Sequence, residues 1–304
     1  MSATAQPAAP AAPRHLDATA VAMIIFLCLC WGFNQVAIKL VLPDVPPLLQ
    51  GAIRSGGGAV LVTLWTWMRG ISFSLKDGTL AGGLLAGFLF GLEFLLIYPG
   101  LQFTTASRAT LFMYVAPFVV VIGSRWLVPG DHFRPSQWLG LLLSFAGLAL
   151  AFGVPTPSDD PRQIVGDLML LAAGVAWGAT TLAVKASALN TARPEKTLLY
   201  QLVISVVMLG AGALALGETI THAPSVLTVT LLTYQTVWVV SVTFLIWFSM
   251  IVTYSASRLS AFTFLTPLFG VAAGHFVLGD PITPAFAGAV ALVIAGLILV
   301  NRPK

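Results

Sequence analysis

Ten long apolar runs, separated by short polar connections, dominate this 304-residue sequence. A transmembrane α-helix needs about 20 consecutive apolar residues, and each run is close to that length. Only 9% of the residues are charged and the mean hydropathy is +0.92, so the chain lacks the polar side chains that a water-facing surface requires. We therefore predict an all-α polytopic membrane protein. Its ten transmembrane helices are expected at residues 18–41, 47–68, 79–99, 105–127, 136–153, 165–187, 197–217, 228–251, 256–278 and 284–301.

The Lys and Arg residues between the runs predict how the chain is oriented in the membrane. Cytoplasmic loops of membrane proteins carry an excess of Lys and Arg. Alternate connections here form a basic set and an acidic set, and both termini belong to the basic set. We therefore expect both termini in the cytoplasm and the chain in a bacterial inner (plasma) membrane. The basic set contains Arg14, Arg69, Lys76, Arg125, Arg134, Arg193, Lys196, Arg302 and Lys304, and the acidic set contains Asp44, Asp159, Asp160, Glu218 and Asp280, with Arg162.

Four groups of residues recur in the same order in the two halves of the sequence, at separations between 146 and 150 residues. Such a constant separation indicates duplication of one five-helix unit. Because five is odd, two copies in one chain cross the membrane in opposite directions, and inverted repeats of this kind are typical of alternating-access transporters. The matched groups are Trp31-Gly32 and Lys39 with Trp177-Gly178 and Lys185, Ala106-Ser107-Arg108 and Pro117 with Ala256-Ser257-Arg258 and Pro267, Gly130-Asp131 with Gly279-Asp280, and Ala146-Gly147-Leu148 with Ala295-Gly296-Leu297.

The repeat also predicts the domain organisation. The first five-helix repeat covers 18–153 and the second covers 165–301, with a linker at 154–164. Residues 1–17 form an Ala/Pro-rich tail that we expect to be disordered, and residues 302–304 form a C-terminal tail.

These motifs resemble those of the drug/metabolite transporter superfamily, EamA type. The resemblance rests on the Trp-Gly pairs of the first and sixth helices and on the Ala-Ser-Arg stretches, each followed by a proline, that open the fourth and ninth helices. Within that superfamily the chain is most similar to the YddG-type exporters of amino acids. The resemblance implies two inverted repeats around a central cavity, and export of small metabolites from the cytoplasm.

Polar and aromatic residues near the middle of the first and sixth helices are the first candidates for substrate binding. Residues three or four apart share a helix face, so an aromatic ring and hydrogen-bonding groups face the same way in both halves. The alternative is helix–helix packing, in which Asn and Thr hydrogen-bond across an interface. The residues are Trp31, Asn34 and Gln35 on the first helix and Trp177, Thr180 and Thr181 on the sixth.

Glu93 is the one acid that lies well inside a predicted span. An ionisable group at that depth is costly and normally faces protein or water. Glu93 could bind an amino group of the substrate or exchange a proton. Alternatively, it could be a structural partner of Arg54 in the second helix, and for Arg54 itself we expect a structural role.

Further candidates are aromatic residues that could line a cavity and residues that could move with the gates. Tyr98, Tyr114, Tyr200, Trp238 and Trp247 are the aromatic candidates, with core packing as the alternative. Pro117 and Pro267 each remove a backbone hydrogen bond in the middle of a span, which predicts equivalent kinks that could act as hinges. Lys39 and Lys185 lie near helix ends and are assigned to anchoring or gate locking.

These features favour a secondary transporter that exports small metabolites, with amino acids, including aromatic or apolar ones, as the preferred class. Nucleotide-sugars, amphipathic drugs, a channel and a lipid scramblase remain alternatives, and proton coupling remains open. The sequence contains neither a His-Glu-x-x-His nor a Gly-x-Ser-x-Gly motif, so we predict that the protein is not an enzyme.

The expected partners are a small-molecule substrate and the lipid bilayer, with the protein acting as a monomer. We predict no cofactor and no nucleic-acid or ATP binding, because the chain has neither a basic cluster nor a phosphate-binding Gly-x-x-x-x-Gly-Lys loop. Cys28 and Cys30 are two residues apart on one helix and point to different faces, so neither a disulfide nor a metal site is expected.

Overall fold

The computed structural model describes residues 14–155 and 160–302. Most of the predicted N-terminal tail, residues 156–159 of the predicted linker, and residues 303–304 of the predicted C-terminal tail therefore lie outside the described residues. The described chain forms ten long helices at the positions predicted from the apolar runs. They are α1 Ala18–Val41, α2 Pro47–Met68, α3 Leu80–Gly100, α4 Ala106–Leu127, α5 Pro135–Phe152, α6 Pro161–Ala186, α7 Pro194–Ala215, α8 Val226–Thr253, α9 Ala256–Leu278 and α10 Pro284–Asn301.

Nine of these ten helices in the described chain are long and apolar enough to cross a membrane. The exception is α2, which has 22 residues but contains Gln50, Arg54 and three consecutive glycines. The prediction of an all-α polytopic membrane protein is confirmed. We call the end of the bundle that carries Arg14 and Arg302 the terminal side, and the opposite end the far side.

Proline determines where several of the helices start and where two of them bend. Five helices begin with proline, whose fixed φ angle suits the first helical position and whose missing N–H is not needed there. Inside α4 and α9 the backbone breaks at residues 114–115 and 263–264, three residues before Pro117 and four before Pro267 respectively. Each break follows from the missing N–H and from the clash of the proline ring with an earlier carbonyl. Both helices are thus interrupted close to the predicted kinks, within one residue of equivalent positions.

Helix packing is the same when the two halves are exchanged. α1 packs on α9 while its counterpart α6 packs on α4, and α2 packs on α8 while α7 packs on α3. α5 packs on α10, α2 on α7 and α4 on α9, so these three pairs each join a helix to its own counterpart. This arrangement is what a pseudo-two-fold relation between two five-helix units requires. The pair α3–α6 is in more extensive contact than its counterpart α8–α1, so the symmetry is not perfect.

The Trp-Gly motif has the same packing role in both halves. A Cβ atom added to Gly32 would lie 2.6 Å from Phe269 Cβ and 2.8 Å from the carbonyl oxygen of Thr266. A Cβ atom added to Gly178 would lie 2.7 Å from Val119 Cβ and 2.8 Å from the carbonyl oxygen of Ala116. These partners are themselves repeat equivalents, 150 residues apart in sequence. Glycine at both positions therefore lets α1 and α6 approach the proline-kinked helices α9 and α4 closely.

Candidate substrate site and gates

Aromatic side chains from α1, α3 and α8 meet near the middle of the bundle. The Trp31 ring lies edge-on to Trp247 and Phe244, with ring centroids 5.4 Å and 6.1 Å away, and Phe244 contacts Phe90 of α3 at 5.9 Å. The indole Nε1 of Trp31 donates a hydrogen bond to Thr243 Oγ1 at 2.9 Å. Because its N–H already has a partner, Trp31 can offer a ligand its ring surface rather than a hydrogen bond.

A small cavity of about 10 Å³ lies between α4, α6, α8 and α9, towards the terminal side. It brings together four residues predicted from the sequence: Trp177, Thr181, Pro117 and Trp247. The Tyr114 ring stands edge-on against Trp177 at 5.5 Å and so joins this group. Ser260 and Thr263 also line the cavity, and the sequence reasoning missed them. The lining combines aromatic surface with hydroxyl groups, and in this conformation the cavity has room for about one water molecule.

The polar residues that follow Trp31 do not act as one surface. Asn34 is buried, and its Oδ1 atom accepts no hydrogen bond from the described residues. Gln35 is exposed and lies against Gly270 of α9. On α6, the Thr180 hydroxyl donates to the carbonyl oxygen of Ala176 at 2.8 Å, so its hydrogen bond is made within its own helix. Of these polar residues, Thr181 lines the cavity, and Asn34 keeps a buried oxygen without a hydrogen bond among the described residues.

The structure places the other aromatic candidates away from this centre. Tyr200 packs against Gly83 on the α3–α7 interface, and its hydroxyl lies 3.3 Å from the Thr79 hydroxyl on the terminal side. Trp238 is partly exposed on α8 and donates from Nε1 to Cys30 Sγ at 3.4 Å. Tyr98 is buried against α2 and α7 in the far-side half. All three have packing environments, and their predicted roles in substrate binding remain predictions.

Arg54 and Glu93 place two ionisable groups in the far-side half of the bundle, and no ion pair joins them among the described residues. Arg54 is 3% exposed and Glu93 is 8% exposed. The Arg54 Nε and Nη2 atoms have no hydrogen-bond partner among the described residues, and the guanidinium carbon lies 4.4 Å from the centroid of the Phe94 ring. The structural ion pair that the sequence suggested is therefore absent from the described residues.

A buried cluster joins the two halves on the terminal side, and we call it the terminal-side gate. The Asp131 carboxylate, between α4 and α5, accepts a hydrogen bond from the Ser255 hydroxyl at 2.6 Å and from the Ser257 N–H at 3.2 Å. Lys185, at the end of α6, donates to the carbonyl oxygens of Ile251, Val252 and Tyr254 at 2.7, 3.1 and 3.2 Å. The sequence predicted a locking role for Lys185, but it gave Asp131 no role although the Gly-Asp motif repeats.

The equivalent residues on the far side form no comparable buried cluster, and we call them the far-side gate: Lys39, Asp280, Thr105 and Ser107. Lys39 lies 3.9 Å from Asp280, and both side chains are more than half exposed. Among the described residues, no hydrogen bond joins Asp280 to Thr105 or Ser107, the counterparts of Ser255 and Ser257. Arg108 instead pairs with Asp167 of α6. The bundle is therefore latched on the terminal side and open at the equivalent cluster on the far side.

Two further acidic residues in the connections tie the halves together. Hydrogen bonds from Lys196 and from the Thr79 hydroxyl lower the pKa of Asp77 to about 2. On the far side, hydrogen bonds from the Thr228 hydroxyl and the Ser225 N–H hold the pKa of Asp44 well below its usual range. Both carboxylates are thus ionised at neutral pH and bind the other half of the molecule.

Comparison with known proteins agrees with this architecture. A model of the "EamA-like transporter family" matches residues 18–153 and 164–302. "Uncharacterized transporter YvbV" of Bacillus subtilis (strain 168) is 26% identical over 95% of this chain and 93% of its own length. "Probable amino-acid metabolite efflux pump" of Escherichia coli (strain K12) is 24% identical over 91% of this chain and 93% of its own length.

A solved crystal structure supports the fold independently. It superimposes with a TM-score of 0.80 at 20% sequence identity, over 93% of this chain and 98% of the other. With the family model covering both halves, and with the repeat and packing described above, this chain belongs to the EamA-like transporter family of the drug/metabolite transporter superfamily.

Proposed function

We infer that this protein is a secondary carrier that exports small metabolites, amino acids first among them, by alternating access. The observation that carries the inference is the difference between the two gates. The same residue types occupy equivalent positions in the two halves, yet Asp131 is 3% exposed and bonded across the halves while Asp280 is exposed. Two packings of one duplicated unit, exchanged between the sides, are what a carrier needs to expose its site alternately.

The choice of amino acids rests on the lining of the central region and on the relatives. Aromatic rings of Trp31, Trp177 and Trp247 together with the hydroxyls of Thr181 and Ser260 suit a solute with an apolar side chain and polar groups. One relative at 24% identity is named a probable amino-acid metabolite efflux pump. Within the membrane, nucleotide-sugars would require several cavity cations, and Arg54 is the one Arg well inside a predicted span.

Counterflow in proteoliposomes tests the proposal. Vesicles containing the purified protein are loaded with one unlabelled solute and diluted into its labelled form, for a panel of amino acids, a nucleotide-sugar and an amphipathic cation. We expect saturable counterflow with amino acids, stronger for aromatic and apolar ones. Flux that rises linearly with concentration would indicate a pore, and counterflow confined to the other solutes would remove the amino-acid assignment. Repeating the assay with and without a pH gradient tests proton coupling.

A cross-linked variant tests whether the terminal-side gate must open. Asp131→Cys with Ser255→Cys, in a Cys28→Ala and Cys30→Ala background, is joined by a short thiol cross-linker. Each single cysteine variant serves as the control. We expect cross-linking to stop counterflow and reversal of the cross-link to restore it, because a latched gate prevents exchange between the two open states.

A further inference from the structure

The polar groups of Arg54 and Glu93 are left without protein partners in an environment where that is costly. The Nε and Nη2 atoms of Arg54 form one edge of the guanidinium, which is the geometry that binds a carboxylate through two parallel hydrogen bonds. Both donors are buried and without an acceptor among the described residues. Glu93, only 8% exposed, makes neither a hydrogen bond nor an ion pair within the described chain.

The two groups lie at the same depth. Arg54 is seven residues after the start of α2 at Pro47, and Glu93 is seven residues before the end of α3 at Gly100. At 1.5 Å per residue, both are about 10 Å along their helices from the far-side ends. Phe94, the neighbour of Glu93 in sequence, contacts the Arg54 guanidinium face. The two ionisable groups therefore stand at one level on two helices of the far-side half, and no ion pair joins them among the described residues.

We propose that Arg54 and Glu93 together bind the zwitterionic head of an α-amino acid, with the Arg54 edge holding the carboxylate and Glu93 holding the ammonium group. This inference rests on the proposed function and assigns its substrate class to named residues. A zwitterion supplies both missing partners at once and leaves the occupied site with no net charge. A simple carboxylate or a simple amine would leave one buried charge uncompensated.

The surrounding side chains are consistent with such a ligand. The donors of Arg54 are closed to solvent in this conformation, so binding requires a shift of neighbouring side chains. The partly exposed Phe94 ring, which contacts the guanidinium, is one of these neighbours. Phe90 contacts Phe94 at 5.2 Å and continues to Phe244. The apolar side chain of an amino acid would therefore lie along these rings, towards the aromatic centre of the bundle.

The test crosses three ligands with two substitutions. The ligands are phenylalanine, phenylalaninamide, which lacks the carboxylate, and N-acetylphenylalanine, which lacks the ammonium group. The same series is made from the best-transported amino acid if that is not phenylalanine. Affinity is measured by saturable counterflow and by the ligand-dependent rise in unfolding temperature of the purified protein. Wild-type protein should bind the intact amino acid at least about tenfold more tightly than either derivative, because each derivative leaves one charged group unpaired.

Arg54→Gln should weaken binding of the amino acid by about tenfold or more and leave the affinity for phenylalaninamide unchanged. Glu93→Gln should weaken binding of the amino acid to a similar extent and leave the affinity for N-acetylphenylalanine unchanged. Arg69→Gln, at the exposed terminal-side end of the same helix, is the control and should alter none of the three. Arg54→Lys, which keeps the charge but not the two-donor edge, replaces Arg54→Gln if the latter does not fold and should also selectively weaken the amino acid.

If the Arg54 variants lose affinity equally for the amino acid and for its amide, or lose affinity for neither, the assignment of the carboxylate to Arg54 is overturned. Equal effects on all three ligands in Glu93→Gln would overturn the assignment of the ammonium group. If wild-type protein carries amino acids but the variants keep its discrimination, the inference alone has failed. If wild-type protein neither binds nor carries any amino acid, the proposed function has failed with it.

Discussion

The Asp131 carboxylate accepts a hydrogen bond from the Ser255 hydroxyl at 2.6 Å, joining the two halves of the molecule on the terminal side. Its repeat counterpart, Asp280, has no such bond to Thr105, the counterpart of Ser255, within the described residues. The sequence is nearly symmetric at these positions, but the packing is not. This difference leads to predictions about the equilibrium between the two sides.

Asp131→Ala should favour the state that is open on the terminal side. The substitution leaves the Ser255 hydroxyl and the Ser257 N–H without their shared acceptor. We expect this to destabilise the latched state by about 1–3 kcal/mol relative to the state that is open on the terminal side. A cysteine introduced by Ser260→Cys in the cavity, in a Cys28→Ala and Cys30→Ala background, reports the change. Its labelling by a membrane-impermeant thiol reagent from the terminal side should increase. Asp280→Ala is the matched control, and an equal increase in both variants would contradict the asymmetry.

Lys185→Met should destabilise the protein, whereas Lys39→Met should have little effect. Lys185 is buried and places its ammonium group on three carbonyl oxygens at the C-terminal end of α8, where a cation stabilises a helix. We expect its loss to cost about 1–3 kcal/mol in the free energy of unfolding. Lys39 is mainly exposed, and an exposed pair contributes little. Unfolding temperatures in detergent compare the variants, and similar values for both would refute the different roles assigned to these lysines.

Gly32→Ala and Gly178→Ala should each lower the unfolding free energy by about 1–3 kcal/mol, because the added methyl group meets a backbone carbonyl that cannot move easily. Gly210→Ala in α7 is the control, since no atom lies within 4 Å of the position of its added Cβ. That variant should be unchanged or slightly more stable, because alanine favours the helix. Thermal unfolding in detergent measures all three. A loss at Gly210 equal to that at Gly32 would show that close helix approach is not the cause.

Asp77→Asn should alter the acid sensitivity of the protein. Hydrogen bonds from Lys196 and Thr79 lower the pKa of Asp77 to about 2 in the folded state, whereas the pKa of an Asp in the unfolded chain is about 3.9. A lowered folded pKa contributes stability that is present above about pH 4 and is lost as the pH falls towards 2. The unfolding temperature of the wild type should therefore fall more steeply than that of Asp77→Asn between about pH 4 and 2, and not differ in slope at neutral pH. Identical slopes at acid pH would contradict the ionic role of Asp77.

Much of the fold follows from local sequence patterns. The apolar runs give the helices within a few residues, because a segment without water must satisfy its backbone hydrogen bonds internally. Pro117 and Pro267 mark the two breaks for an equally local reason, the missing N–H. Gly32 and Gly178 were recognisable as equivalents because each follows a tryptophan and precedes a lysine at the same spacing.

The candidate site was only partly predictable. Trp177, Thr181 and Pro117 do meet at one cavity, since their helix positions and depth brought them to it. Tyr200 and Trp238 looked alike in sequence but face other interfaces, because the direction of an aromatic side chain around a fully apolar helix leaves no periodic signal. Ser260 and Thr263 carry no distinguishing motif, and only the packing of α9 against α4 and α6 brings them to the cavity.

The sequence by itself determined the membrane environment, the ten helices and the inverted repeat, because hydropathy, charge placement and duplication depend on the order of the residues and not on contacts between distant ones. Only the tertiary structure decided which gate is latched and whether Arg54 and Glu93 pair. Both depend on distances between helices that are remote in sequence, and two packings of a duplicated unit can differ by only a few kcal/mol. A nearly symmetric sequence does not indicate which gate is latched, whereas the positions of Asp131 and Asp280 in the folded protein do.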